Sequence, residues 1–252
     1  MSTTLDEILR SPVGRNSTHW LKFADEWWSH QSYWNLHEMC VVAALRVSEG
    51  VDGPDEIPLA ADKDTLTMAQ VLADVVDHHP ISRHLTKTSS PQVHFGSPKQ
   101  DVNFGDHGGP PLRGKPPRVL WTSSLIDTRS SWLAAIDSSF VPVNASELKE
   151  HHIVIDAPKA RIFNIDGFED VATLAELYGI PRNGQAQIDW TAVRADHDAV
   201  HLSFRGLLTA QGVPVSSTNG IYSLTSWDCE STAWFNSEHF TRWTQIDIQD
   251  GL

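Results

Sequence analysis

Residues 226–235 read Ser-Trp-Asp-Cys-Glu-Ser-Thr-Ala-Trp-Phe, with two carboxylates two positions apart among aromatic, small and hydroxyl side chains. This composition predicts a β-strand over residues 228–235. Side chains on a strand alternate between its two faces, so we expect Asp228 and Glu230 to point the same way. Burying a carboxylate on a largely apolar strand costs free energy unless it has a partner or a task. The stretch therefore predicts either a structural or a catalytic role for these two groups.

The segments before this stretch divide into a helical part and a part rich in short strands. Helical spacing of apolar residues predicts helices over 18–30 and 33–49. The sequence Thr-Met-Ala-Gln at 67–70 resembles a capping box, which predicts a third helix that stops before Pro80.

From about residue 88 the sequence favours short strands. The segment 96–117 holds five Gly and five Pro and predicts a loop. Strands are predicted over 118–123, 152–155, 160–165, 199–204, 222–225 and 228–235, and helices over 130–136 and 168–178. The fold class is therefore expected to be α+β, with a helical N-terminal region at 1–88 and a domain with a mixed or antiparallel sheet at 89–252.

Composition limits the classes of function and the compartment. The chain of 252 residues has 19 basic and 32 acidic side chains, a net charge of −13, which argues against a broad nucleic-acid surface but leaves room for a local basic groove. Cys40 and Cys229 form no disulfide framework, so we expect a reducing compartment. No apolar run approaches the ~18 residues of a membrane span, and the polar N-terminus does not resemble a signal peptide. We expect a cytoplasmic protein with no membrane partner, or one delivered into a target cell without a signal peptide.

Three segments, taken in order, resemble the signature of an ADP-ribosyltransferase. Val-His-Phe-Gly-Ser at 93–97 resembles the first-strand element, in which a His binds the adenosine ribose of NAD. Residues 117–124, Pro-Arg-Val-Leu-Trp-Thr-Ser-Ser, resemble the second element, which packs against the nicotinamide. Glu230 matches the late glutamate that hydrogen-bonds the 2′-hydroxyl of the nicotinamide ribose. The resemblance covers residues 90–240 and implies an ADP-ribosyltransferase-like fold for the C-terminal domain.

The resemblance implies NAD as the substrate and two groups of site residues. Glu230 would be catalytic, because a carboxylate stabilises the oxocarbenium charge that develops as the glycosidic bond breaks, and Asp228 would assist as a general base. The residues expected to contact NAD are His94, Phe95, Gly96, Trp121, Thr122, Ser123 and, at the diphosphate, Arg205. Each has a structural alternative: a core His or Trp, half-exposed strand carboxylates, and an Arg at a solvated strand end.

The predicted reaction is transfer of ADP-ribose from NAD to an unidentified protein, nucleic-acid or small-molecule acceptor, with release of nicotinamide, as in toxin-like transferases. Asp228 stands where arginine-modifying members carry Glu or Gln, which argues against an arginine acceptor. One alternative is an NAD glycohydrolase of the same fold. Another is a non-enzymatic interaction protein that docks a partner through its Trp-rich helices. The His spacings match no zinc pattern, so no metal is expected.

Overall fold

The computed structural model of the protein describes residues 3–22, 33–48, 63–78, 91–96, 114–126, 128–137 and 149–246. Outside this part lie residues 23–30 of the helix predicted over 18–30, residues 50–62, and residues 97–113 of the predicted glycine- and proline-rich loop.

In the described part of the chain, four helices precede the first strand and four more lie between strands. The helices are α1 Thr3–Arg10, α2 Pro12–Lys22, α3 Tyr33–Ser48, α4 Lys63–His78, α5 Ser131–Asp137, α6 Phe168–Tyr178, α7 Trp190–Asp196 and α8 Phe204–Thr209. The strands are β1 Gln92–Phe95, β2 Leu120–Thr122, β3 Leu125–Ile126, β4 Arg129–Ser130, β5 Glu150–Ile155, β6 Ile162–Ile165, β7 Gly179–Arg182, β8 Gln185–Ile188, β9 Ala199–Leu202, β10 Pro214–Ser217, β11 Gly220–Ser223, β12 Ser231–Trp234 and β13 Phe240–Ile246.

The strands form sheets with mostly antiparallel pairing. One sheet has the order β1-β5-β13 and is antiparallel throughout. A second has the order β2-β12-β9-β6, in which only β9 and β6 run parallel. An isolated bridge between Val93 and Ser123 links the two sheets. The fold is therefore α+β with N-terminal helices, as the sequence predicts.

Several helix predictions are confirmed, and two predicted helix starts are wrong. Helices α3 and α6 occupy the predicted ranges within a residue. Helix α2 begins earlier than predicted, at Pro12, because proline suits the first turn of a helix. The predicted capping box at residues 67–70 lies inside α4, which begins at Lys63. The Thr67 hydroxyl donates to the Lys63 carbonyl one turn back at 2.8 Å, so it does not cap a helix start.

The strand predicted over residues 228–235 is shorter than expected. β12 begins only at Ser231, so Asp228 and Glu230 precede it and do not share a strand face. Ser226 has a positive φ of 67°, which turns the chain just before this segment. The two carboxylates consequently have different environments: Glu230 is fully buried, whereas the Asp228 side chain is 33% exposed.

The N-terminal helices share a hydrophobic core with the sheet domain through α8. Phe204, Leu207 and Leu208 of α8 are buried in the same cluster as Ile8 of α1. Beside them, the Arg205 guanidinium donates to the Glu7 carboxylate of α1 and to the Asp166 carbonyl. A hydrophobic core with this ion pair at its edge joins the first helix to the rest of the molecule.

Gly206 allows α8 to lie directly against β6. A Cβ at this position would come well inside 3.0 Å of the Ile165 carbonyl oxygen at the end of β6. No other residue type fits without a backbone shift, so this glycine sets the distance between helix and strand.

Asp198 joins the start of β9 to neighbouring segments. Its carboxylate accepts the Arg161 backbone N–H at 2.8 Å and the Arg161 guanidinium at 2.9 Å, with Asn236 and His239 also in contact. Despite burial, the hydrogen bonds and charge of Arg161 hold the Asp198 pKa far below its usual 3.8. These contacts hold the start of β9 against the segments that contain Arg161, Asn236 and His239.

Candidate functional site

The three sequence elements singled out above meet where β1, β2 and β12 lie side by side. β12 pairs with β2 through Thr232 opposite Thr122, and extending this antiparallel register by two residues places Glu230 opposite Ser124. The bridge between Val93 and Ser123 brings the end of β1 to the same place. The topology therefore collects side chains from positions more than a hundred residues apart.

The Glu230 carboxylate is enclosed and held by serines. It has no solvent exposure. Its Oε2 accepts the Ser124 backbone N–H and the Ser131 hydroxyl, both at 2.9 Å, and its Oε1 accepts the Ser124 hydroxyl at 2.8 Å. Ser131 opens α5, and its backbone N–H donates to the Ser124 carbonyl at 3.1 Å. These contacts fix both oxygens of the carboxylate.

A second layer of buried polar groups supports this arrangement. The Gln92 amide donates to the Ser124 hydroxyl at 2.8 Å, and its oxygen accepts the hydroxyls of Thr122 and Thr232 at 2.8 and 3.2 Å. His201 Nδ1 lies 2.9 Å from the Thr232 hydroxyl and 3.8 Å from the Glu230 carboxylate. Such a connected network restricts the orientation of each member.

Burial controls the charge of Glu230. Desolvation raises its pKa from 4.5 to about 7, although the hydrogen bonds from Ser124 and Ser131 act in the opposite direction. The group therefore changes charge near neutral pH. A carboxylate at this pKa can serve as an anion or as a proton donor under physiological conditions.

His94 lies near the end of β1, beside Trp121 of β2. Its Nδ1 is 2.9 Å from the Trp121 carbonyl oxygen, so this nitrogen carries the proton and Nε2 is the acceptor in the neutral ring. Gly96 follows with φ +143°, and a Cβ there would lie 3.1 Å from Nε2. A glycine thus leaves space beside the imidazole.

His94 belongs to an aromatic cluster with His151 of β5 and Trp243 of β13. The centroids of the His94 and His151 rings are 6.1 Å apart, and Trp243 is 5.9 Å from the first and 5.5 Å from the second. The Trp243 indole N–H donates to His151 Nδ1 at 3.1 Å, and His151 Nε2 lies 3.2 Å from the Gly96 carbonyl. These partners specify a neutral His151, and burial also lowers its pKa below 6.5.

Trp121 and Asp228 both contact the same lysine, Lys115. Trp121 is half-buried and meets the Trp227 ring edge-on at a centroid distance of 4.9 Å. The Lys115 ammonium lies 5.6 Å from the centre of the Trp121 ring and 2.7 Å from the Asp228 carboxylate. The charge of Asp228 is therefore partly compensated by Lys115.

The remaining predicted site residues lie in varied surroundings. Thr122 and Ser123 are fully buried, and their hydroxyls contact Gln92 and Ser130 inside the protein. Phe95 ends β1, half-buried and opposite Glu150 of β5. Arg205 bonds to Glu7 and to the Asp166 carbonyl at the α1–α8 junction.

The sequence did not single out Ser124 and Ser131, the residues that hold Glu230. Their signal is weak, because serines are common in the loops and helix starts of any protein. Both lie next to segments already noted: Ser124 directly follows Trp-Thr-Ser at 121–123, and Ser131 opens the predicted helix. Their pairing with Glu230 depends on the adjacency of β2 and β12, which no local sequence pattern indicates.

The described residues around Glu230 provide neither a metal site nor a reactive thiol. Among the described residues, no group of three or more His, Cys, Asp and Glu side chains is arranged to hold a metal ion. Cys229, beside Glu230, is buried, and desolvation raises its thiol pKa well above 9.0. In the same part of the chain, no helix is both long and apolar enough to cross a membrane.

Comparison of the chain with protein-family models, curated proteins and solved structures gives no significant match. The residues and their geometry are therefore the basis for the functional proposal.

Proposed function

We propose that the protein binds NAD and transfers its ADP-ribose to an acceptor, releasing nicotinamide. The observation that carries this proposal is the placement of His94 on β1, of Trp121 on β2 and of a rigidly held Glu230 just before β12, in three segments that lie side by side. These are the three positions at which the sequence resembles an ADP-ribosyltransferase. The proposed activity is that of a glycosyltransferase.

In the proposed reaction, the bond between C1′ of the nicotinamide ribose and the nicotinamide nitrogen breaks, and its electron pair leaves with nicotinamide. An acceptor oxygen or nitrogen then bonds to C1′ and gives up its proton. Positive charge builds on the ribose in between. An ionised Glu230 stabilises that charge more than it stabilises the ground state, which is the condition for catalysis.

The charge on Glu230 makes this mechanism dependent on pH. Its pKa of about 7 means that the anion predominates only above neutral pH. The value of kcat/KM is therefore expected to rise as the pH increases through about 7. Asp228 lies two residues before Glu230 and is partly exposed, and we propose that its carboxylate accepts the proton that the acceptor gives up.

Full burial of Glu230 favours a second candidate, in which the protein is a non-enzymatic scaffold. A carboxylate with no exposure and donors on both oxygens is also what a purely structural group looks like. NAD can reach Glu230 only if the residues that cover it move apart. The two candidates therefore differ in whether NAD binds at all.

Labelled NAD tests the proposal, with wild type beside Glu230→Gln and the exposed-site control Glu238→Gln. We expect wild type and Glu238→Gln to release nicotinamide and Glu230→Gln to lose at least about a hundredfold in rate. Label on an added acceptor or on the protein itself supports a transferase, whereas free ADP-ribose alone supports a glycohydrolase. Turnover that survives Glu230→Gln unchanged contradicts the mechanism. A folded wild-type sample that shows no NAD binding in calorimetry favours the scaffold.

A further inference from the structure

A cleft separate from the Glu230 carboxylate opens beside the hairpin formed by β7 and β8. Its volume is about 670 Å³, which suits a small molecule. The wall contains Ile188, Trp190 and Tyr222 as apolar and aromatic surface, and Lys115 and Arg182 as charged groups. The walls therefore combine ring-stacking surface with cations.

The charge of this cleft is opposite to that of the protein. The whole chain has a net charge of −13, yet the described residues that line the cleft include two cations, Lys115 and Arg182, and no carboxylate. Lys115 is paired with Asp228, so Arg182 supplies the uncompensated positive charge. Arg182 is exposed, and its guanidinium donates to the neutral Gln187 side chain at 3.0 Å. Its positive charge is not cancelled by that contact. A local cationic wall on an acidic protein favours an anionic ligand.

The Tyr222 hydroxyl supplies an independent indication of a ligand. Tyr222 lines the cleft and is only 7% exposed. Its hydroxyl oxygen is buried and has no hydrogen-bond partner among the described residues. Buried polar atoms are nearly always paired, because an unpaired one costs free energy. An unsatisfied hydroxyl on a residue that lines a cleft is explained if a ligand provides its partner.

We propose that this cleft binds a small ligand in which a flat ring carries an anionic group such as a phosphate. The ring would pack on Trp190 and Ile188, and the Tyr222 hydroxyl would bond to its polar edge. Arg182 would hold the anion, since its planar fork suits phosphate oxygens, and Lys115, already paired with Asp228, would lie beside it. This inference does not depend on the proposed NAD chemistry.

Adenosine 5′-monophosphate is a suitable probe, since it joins a flat base to a phosphate. We expect calorimetry to detect its binding, with adenosine at least about tenfold weaker because it lacks the anion. Arg182→Gln should weaken binding about tenfold, whereas Arg242→Gln, at an exposed position on β13, should not change it. Failure of the nucleotide to bind, or equal affinity for wild type and Arg182→Gln, overturns the proposal.

Tyr222→Phe distinguishes a ligand contact from a structural one. The substitution removes only the unpaired hydroxyl, so the unfolding midpoint without ligand should stay the same or rise. Affinity for adenosine 5′-monophosphate should nevertheless fall about three- to tenfold. Undiminished affinity contradicts the role assigned to the hydroxyl. Glu230→Gln should keep this affinity even where it abolishes NAD turnover, so the two proposals can fail separately.

Discussion

Replacing Glu230 by Gln should change how the stability of the protein depends on pH. Gln keeps the size of the side chain and an oxygen that can accept the Ser124 N–H, but it cannot ionise. In wild type, burial raises the Glu230 pKa from 4.5 to about 7. Between these two pH values the folded protein holds a proton that the unfolded chain has lost.

The size of the effect follows from this difference. At about 1.4 kcal/mol per pH unit, the contribution of Glu230 to the free energy of unfolding falls by about 3 kcal/mol between pH 4.5 and 7. It is fully present below pH 4.5 and is lost as the pH rises through about 7. Between pH 4.5 and 7, the free energy of unfolding of Glu230→Gln should therefore rise by about 3 kcal/mol relative to that of wild type.

Urea unfolding of both proteins at intervals from pH 4.5 to 8 measures this difference directly. Subtracting the free energy of unfolding of wild type from that of the variant cancels the contributions of groups that titrate equally in both proteins. Glu238→Gln, at an exposed position, serves as the matched control. A flat difference for Glu230→Gln would refute the assignment of a raised pKa to this carboxylate.

Three further substitutions test the fold. Arg205→Ala should lower the free energy of unfolding by about 2 kcal/mol, because it leaves the largely buried Glu7 carboxylate without its cation. Additive losses of stability in a double-mutant cycle with Glu7→Gln would contradict a direct ion pair. Asp198→Asn should cost about 2 kcal/mol at pH 7, and this loss should narrow as the pH falls below 3.8, because the carboxyl of the unfolded wild-type chain then takes up a proton that the folded protein does not bind. A loss independent of pH in urea unfolding would exclude the depressed pKa. Gly206→Ala should lower the free energy of unfolding by about 3 kcal/mol, because the added methyl group clashes with β6. Gly184→Ala, in open space with φ +79°, should lower it by only about 1 kcal/mol. Equal shifts of the two unfolding temperatures would argue against the close approach of α8 to β6.

The fold class could be predicted because periodicity is local. Helices α3 and α6 follow from apolar residues at helical spacing, and the short runs of the second half follow from their β-branched and aromatic content. Boundaries were less reliable where one residue type has two roles. Thr67 reads as a cap in sequence, yet its hydroxyl bonds back along an existing helix.

The site could be predicted only in part, because its decisive contacts are not local. Glu230 draws attention in sequence as a carboxylate beside an apolar run. Its serine partners lie 99 and 106 positions away, and no local pattern connects them. The expected strand face shared with Asp228 failed because β12 starts one residue after Glu230. The cleft beside β7 and β8 was not foreseen at all, since its cations come from separate segments.

The most direct test of the proposed function is a crystal structure of Glu230→Gln with NAD bound. The substitution should prevent turnover while keeping the shape of the site. We expect the 2′-hydroxyl of the nicotinamide ribose within hydrogen-bonding distance of residue 230, with the adenosine ribose at His94 and the nicotinamide beside Trp121. NAD bound away from these three residues, with the Glu230 region still closed, would contradict the account.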